Sequence, residues 1–287
     1  MATELIKGKP VADAITAKCS EKAKELREKG IVPCLAILRV GENDADISYE
    51  RGAMKRCASA DVEVRNVILP KDVSQEAFDE ALEALNHDDS VHGILMFRPL
   101  PKHLNSEKAR NMIAPEKDID GCTDGSLAGV FTNTPKGFAP CTAQAAIEIL
   151  DYYGIEISGK NVTVLGRSLV VGKPLALLLM NRNATITVCH RKTVDTQSIA
   201  RKADIVVAAI GEAENITAQY LREGQYVIDV GISWNEAKGK LCGDVLFEEA
   251  EPLVKAITPV PGGVGSVTTS VLVSHVIEAA CRMNGIR

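Results

Sequence analysis

At 287 residues the chain is longer than a single hydrophobic core usually grows, so two domains, or one divided by an insertion, are expected. Hydrophobic residues supply 46% and charged residues 25%, a globular balance that excludes a disordered or fibrous chain. The net charge of -5, with no basic tract, excludes a holder of phosphate polymers or anionic membranes and leaves small molecules as the expected partners.

Residues 9–28 set Val11, Ala14, Ile15, Ala17, Cys19 and Ala23 among lysines and glutamates, a helical pattern that stops at Gly30 and Pro33. The apolar run CLAILRV (34–40), closed by Gly41, predicts a strand; 46–59 predicts a helix and VEVRNVIL (62–69) a second strand. A helix over 74–87, the strand HGILMF (92–97) and a helix near 104–113 continue a βαβ series, which implies a mostly parallel sheet covered by helices. From Asp118 to Thr142 the chain is rich in Gly, Thr and Pro with little periodicity, as expected of a functional loop crossing a domain boundary. A helix over 142–153 then leads into strands at 161–166, 184–190, 204–210 and 225–232, with helices at 171–181 and 195–202, a doubly wound nucleotide-domain pattern. The last helix, 267–284, follows PVPGGVG and is placed to pack back on the first half.

The N-terminus has no apolar run of signal-peptide length, and the most apolar stretch, 162–180, is broken by polar residues, glycines and Pro174, so no membrane span is expected. The eight cysteines show no CxxC pair and the five histidines no ligand-like spacing, which predicts reduced thiols, a cytoplasmic protein and no metal.

In VTVLGRSLVVGKP a glycine ends a strand and an apolar helix follows the second glycine, the geometry that lets backbone amides approach a phosphate. Without the full GxGxxG fingerprint the segment also fits a plain strand-to-helix turn. About twenty residues further on, where an NAD site usually carries an acid, the next strand ends in CHRK; Arg191, with Arg167 as a second candidate, suits a 2′-phosphate and favours NADP over NAD.

With these segments in order, the chain resembles the bifunctional methylenetetrahydrofolate dehydrogenase/methenyltetrahydrofolate cyclohydrolase family over essentially its whole length. The resemblance rests on VGEN, SYERGAMKRC, GILMFRPLPKH, PEKDIDG, PCTAQAAIEIL, GRSLVVGKPLALLL, VIDVGI and ITPVPGGVGSVT. It implies an α/β folate-binding domain over 1–141 completed by the helix in 267–287, a Rossmann-like NADP-binding domain over 142–266, a cleft between them, and a homodimer. It also implies that Tyr49 stacks on the folate and Asp120 binds the pterin, both as catalytic and substrate-binding residues; that Pro261, Gly262 and Gly263 line the substrate side; and that Gly166, Arg167, Ser168 and Ile232 hold NADP with Arg191.

Three departures stand against that pattern. Ala53 occupies the position of the family's catalytic lysine, four residues after Tyr49; Phe97 replaces the glutamine of GILxQLPLP that hydrogen-bonds the lysine; Ser266 replaces a proline after GGVG. Lys55 is a poor stand-in, because two residues turn a helix by roughly 200°, and Arg98 is expected to point away from Phe97 by strand alternation. The first two changes look coupled, since a buried glutamine without its lysine would be left unpaired whereas alanine and phenylalanine need no partner.

The expected function is oxidation of 5,10-methylenetetrahydrofolate to the 5,10-methenyl form by hydride transfer to NADP, with cyclohydrolase activity weak or absent. The alternatives are a fully bifunctional enzyme yielding 10-formyltetrahydrofolate, with Tyr49 or Lys55 activating water, and a non-catalytic folate- or NADP-binding protein. A related two-domain dehydrogenase, such as one acting on shikimate, fits the Asp120 and PGGVG contexts less well.

Overall fold

A computed structural model describes residues 3–286. In chain order, strand β1 (Glu4–Leu5) and helix α1 (Gly8–Glu28) precede β2 (Cys34–Val40), α2 (Asp44–Ser59), β3 (Glu63–Leu69), α3 (Gln75–His87) and β4 (Gly93–Met96). Helices α4 (Ser106–Met112) and α5 (Asp124–Thr132) follow. The chain continues through α6 (Cys141–Tyr152), β5 (Asn161–Leu165), α7 (Gly172–Asn181), β6 (Thr185–Cys189), α8 (Thr196–Lys202), β7 (Ile205–Ala208) and β8 (Tyr226–Asp229). It closes with β9 (Ser233–Asn235), β10 (Lys240–Cys242), α9 (Phe247–Ala250), β11 (Ala256–Ile257) and α10 (Thr268–Met283).

Two compact units result, one from the chain up to Ala12 with Thr142–Thr268, the other from Asp13–Cys141 with the chain from Thr269 onward. In the second, three parallel strands run in the order β3-β2-β4. Its core forms where Leu38, Ile94 and Met96 of the sheet meet Phe78, Leu82 and Leu85, which recur every three or four residues on α3 and are buried against it. Ser74 starts α3 by accepting the Ala77 amide at 3.2 Å.

The stretch expected to be a plain loop holds a helix. Thr123 caps α5 by accepting the Ser126 amide at 3.0 Å, and Asn133 ends it in the left-handed conformation. Gly129 sits inside α5 because a Cβ there would lie 2.0 Å from the Lys136 carbonyl oxygen, so close approach of backbone, not flexibility, accounts for this glycine. Helix α10 packs with this unit: His275 Nδ1 donates to the Ile119 carbonyl at 2.8 Å and its ring tilts onto Phe138. Although residues 264–283 are long and apolar enough to cross a membrane, two thirds of that stretch is buried inside the protein.

The other unit carries a six-stranded parallel sheet in the order β1-β11-β8-β7-β5-β6. The four expected strands lie side by side in it as β8-β7-β5-β6, with β6 at the edge. Assigning the chain start to the folate domain needs correction, because Glu4 and Leu5 pair with Ala256 and Ile257 and so extend the nucleotide-type sheet. Strands this short carry no readable period. The hairpin β9–β10 likewise has no counterpart among the expected elements. Leu165, Val206, Ala208, Val227 and Ile257 form the buried centre of this unit.

Candidate active site

Helix α2 is anchored to its sheet by an ion pair: Arg39 Nε of β2 donates to Glu50 Oε2 at 2.8 Å with both side chains almost wholly buried, and Asn66 of β3 donates to Glu50 Oε1 at 3.1 Å. With Glu50 turned to the sheet, Tyr49, about 100° round the helix, keeps 38% of its surface exposed. Ala53 keeps none, and Lys55 is exposed. Phe97 follows the end of β4 and stands edge-on to Tyr49, ring centroids 5.8 Å apart and planes at 85°. Of the two apolar substitutions, Phe97 is thus packed against the tyrosine.

Arg98 reaches the loop that carries Asp120. Strand β4 ends at Met96, so alternation no longer governs residue 98, and its Nη2 lies 3.4 Å from Asp120 Oδ2. Asp120 is presented by a loop that Asp118 organises: the fully buried Asp118 carboxylate accepts the Cys122 amide at 3.0 Å and the Thr123 amide at 2.8 Å. Gly121 adopts φ +65°, and a Cβ there would lie 2.5 Å from Ala139 and Pro140 backbone atoms, so only glycine lets the loop pass. Protein atoms crowding Asp120 push its carboxyl up to about 6, an effect that Arg98 opposes and Asp118 reinforces. Burial, with the charge of Asp120 beside it, also pushes the Tyr49 phenol up.

Tyr49, Phe97, Arg98 and Asp120 are therefore one cluster within one unit. Arg98 and Asp118 escaped the sequence reading as functional residues, although the DIDG spacing was a signal for the latter: an aspartate accepting amides four and five residues on is a loop organiser.

In the other unit, β5 leads into α7 through Gly166, whose φ is +121° and whose added Cβ would meet the Ala209 carbonyl oxygen at 2.1 Å. Such crowding reserves the turn for glycine and brings backbone close to any group lying on it. Ser168 Oγ accepts the Val171 amide at 3.1 Å, and Arg167, Ser168 and Ile232 are exposed. The first turn of α7 carries Lys173 and no acid, which suits an anion at the positive end of the helix. Arg191, at the end of β6, is 86% exposed and paired with Glu212. Cys189, His190, Arg191, Ile210 and Tyr220 line a depression there.

Two buried acids shape this rim. Asp244 accepts the amides of Ile210, Gly211 and Glu212 at 2.6, 3.1 and 2.9 Å, fixing the loop that carries Glu212. Asp229 accepts those of Gly231, Asp244 and Val245 at 3.0, 3.0 and 2.9 Å. Pro261, Gly262 and Gly263 also belong to this unit; the Gly8 amide donates to Gly262 O at 2.8 Å. Where the family has proline, the Ser266 hydroxyl donates to Gly263 O at 2.6 Å and ties the loop by a hydrogen bond instead of a ring.

A six-stranded parallel sheet with a crowded glycine turn between β5 and α7, joined in sequence to an α/β unit carrying the tyrosine–aspartate cluster, is the build of a two-unit nucleotide-dependent enzyme. The chain belongs to the tetrahydrofolate dehydrogenase/cyclohydrolase family, whose catalytic domain matches residues 6–120 and whose NAD(P)-binding domain matches residues 140–284. It is similar to the bifunctional protein FolD of Carboxydothermus hydrogenoformans, 50% identical over 284 residues and 99% of each chain. Among solved structures it is similar to the bifunctional FolD methylenetetrahydrofolate dehydrogenase/cyclohydrolase of Campylobacter jejuni, with 36% identity, a TM-score of 0.94 and 98% and 99% of the two chains covered. It is similar also to the Trypanosoma brucei methylenetetrahydrofolate dehydrogenase-cyclohydrolase complexed with NADP and an inhibitor, at 36% identity, a TM-score of 0.90 and 98% coverage of both.

Proposed function

We propose that this protein oxidises 5,10-methylenetetrahydrofolate to 5,10-methenyltetrahydrofolate with NADP as acceptor, and hydrolyses the methenyl product slowly or not at all. Family membership supports the dehydrogenase, and the residues present fit the dinucleotide: the crowded turn at Gly166, the acid-free first turn of α7 and the cationic Arg191 suit a phosphorylated cofactor held by Gly166, Arg167, Ser168, Arg191 and Ile232. When bound, NADP supplies the acceptor for the hydrogen and electron pair that leave the methylene carbon.

The chain's own residues orient the folate. Asp120 offers carboxylate oxygens to the adjacent N–H donors of the pterin edge, and Tyr49 of the same unit offers its ring face. Alignment is the main requirement of the oxidation, and no side-chain base is obligatory.

Hydrolysis differs, because a water must be positioned and deprotonated. The single observation that carries the second half of the proposal is the replacement cluster: Ala53, without exposed surface or titratable group, and Phe97 packed edge-on to Tyr49. The rival in which Tyr49 activates water meets a phenol whose pKa is raised, so it stays protonated at neutral pH. Lys55 is exposed two residues round the helix from Ala53. A cytoplasmic homodimer in one-carbon metabolism is part of the same proposal, and the eight free cysteines suit the reducing compartment.

Supplying the purified protein with 5,10-methylenetetrahydrofolate and either NADP or NAD, while following reduced cofactor and methenyltetrahydrofolate absorbance, tests both halves. Reduction of NADP with accumulation of the methenyl product is the expected outcome. Enzyme-dependent decay of that product at a rate matching its formation would refute the hydrolysis claim, and no cofactor reduction at saturating substrates would refute the oxidation.

A further inference from the structure

The pattern GILxQLPLP has leucine where this chain has Arg98, so the chain that lacks a cation at residue 53 has gained one at residue 98. The two positions do not offer the same chemistry. An amine can give and take a proton, whereas a guanidinium serves only as donor and charge. Arg98 reaches one oxygen of Asp120, Oδ2, at 3.4 Å, which leaves Oδ1 and further lone pairs for a ligand. Both side chains keep 30% of their surface, so the pair lies at an opening and is neither sealed in the core nor fully solvated.

On that geometry, and resting on the pterin-binding reading of Asp120, we propose that Arg98 is a positioning residue: it holds Asp120 ionised and aimed, and thereby extends reduced-folate binding toward lower pH. Other groups face the same carboxylate. Asp118 and Cys122 lie on its own loop, Tyr49 on α2 and Cys141 at the start of α6, while His275 of α10 is bound to the neighbouring Ile119 carbonyl. Burial lowers the His275 pKa and raises those of Cys141, Cys122 and Tyr49, so these groups are neutral near pH 7. Asp118 is an acid and pushes Asp120 the wrong way for binding. Arg98 is the cation paired with it among the described residues. With the Asp120 carboxyl already up to about 6, loss of Arg98 carries its titration further into the working range, and the protonated acid accepts fewer pterin N–H bonds as pH falls.

The test compares the full-length protein with Arg98→Leu, Arg98→Lys and Asp120→Asn, and with the double variant Arg98→Leu/Asp120→Asn. Two readouts are taken from pH 5.5 to 8.5: tetrahydrofolate binding by calorimetry and the KM and kcat of methylenetetrahydrofolate oxidation. For Arg98→Leu, tetrahydrofolate affinity at pH 6 should fall about threefold to tenfold, with the acid limb moved to higher pH, KM raised to match and kcat changed less than twofold. Arg98→Lys should recover most of the profile, and Arg98→Leu should add nothing in the Asp120→Asn background. An unmoved acid limb, or an equal effect of Arg98→Leu with and without Asp120, would overturn the proposal. Calorimetry keeps it distinct from the activity itself: a protein that binds tetrahydrofolate with the expected pH profile but reduces no NADP would refute the dehydrogenase reading and leave the role of Arg98 standing.

Discussion

Ala53 has no exposed surface, so a lysine placed there alone would bring an unpaired charge into the interior. Ala53→Lys by itself should therefore lower stability by several kcal/mol and restore little hydrolysis. Ala53→Lys with Phe97→Gln supplies both base and holder, and should raise methenyltetrahydrofolate hydrolysis about a hundredfold or more. Single-turnover decay of the methenyl absorbance checks this; a double variant no faster than the parent would mean that another group already activates water. Residue identity at these two positions was readable from the motifs, but their surroundings were not. Contact between Phe97 and Tyr49 spans 48 positions of chain, and no local pattern encodes it.

Among elements, β6 and the loop after β7 divide the work at the proposed cofactor rim. Strand β6 delivers Arg191 and the loop delivers Glu212, whose backbone Asp244 holds in place. On the proposed reading a 2′-phosphate would take the guanidinium over from Glu212, since arginine can pair with either group through two parallel hydrogen bonds. Arg191→Ala should raise KM for NADP about tenfold or more and leave that for NAD nearly unchanged, as initial rates with the two cofactors will show. Equal losses with both would mean that Arg191 only shapes the surface. Element types were legible wherever the apolar period was long: α1, α3 and the central strands of both sheets lie within two or three residues of their expected bounds. Helix α5 was not, because its glycines serve close packing and dilute the helical signal.

For the molecule as a whole, stability and pH are linked through buried acids. Desolvation lifts the Asp229 carboxyl to about 7 despite three amide donors that favour its ionised form, against an ordinary value near 3.8. A folded-state pKa above the unfolded one means that the fold binds the proton more tightly. The contribution is full below about pH 4 and is lost as pH rises to about 7. In urea titrations the stability gap between the parent and Asp229→Asn should narrow in the parent's disfavour across that window, by a few kcal/mol at most; a constant gap would show that Asp229 is ionised throughout. The sequence by itself determined two α/β units, the order of their main strands, the glycine turn after β5 and the loss of the family's lysine–glutamine pair, because these reside in local period and motif. Only the tertiary structure decided that Glu4 and Leu5 join the six-stranded sheet, that Asp229 holds Asp244 and Asp244 the loop after β7, and that Arg98 meets Asp120. Each of those outcomes depends on groups far apart in the chain whose pairing is set by where strands end and what is desolvated around them.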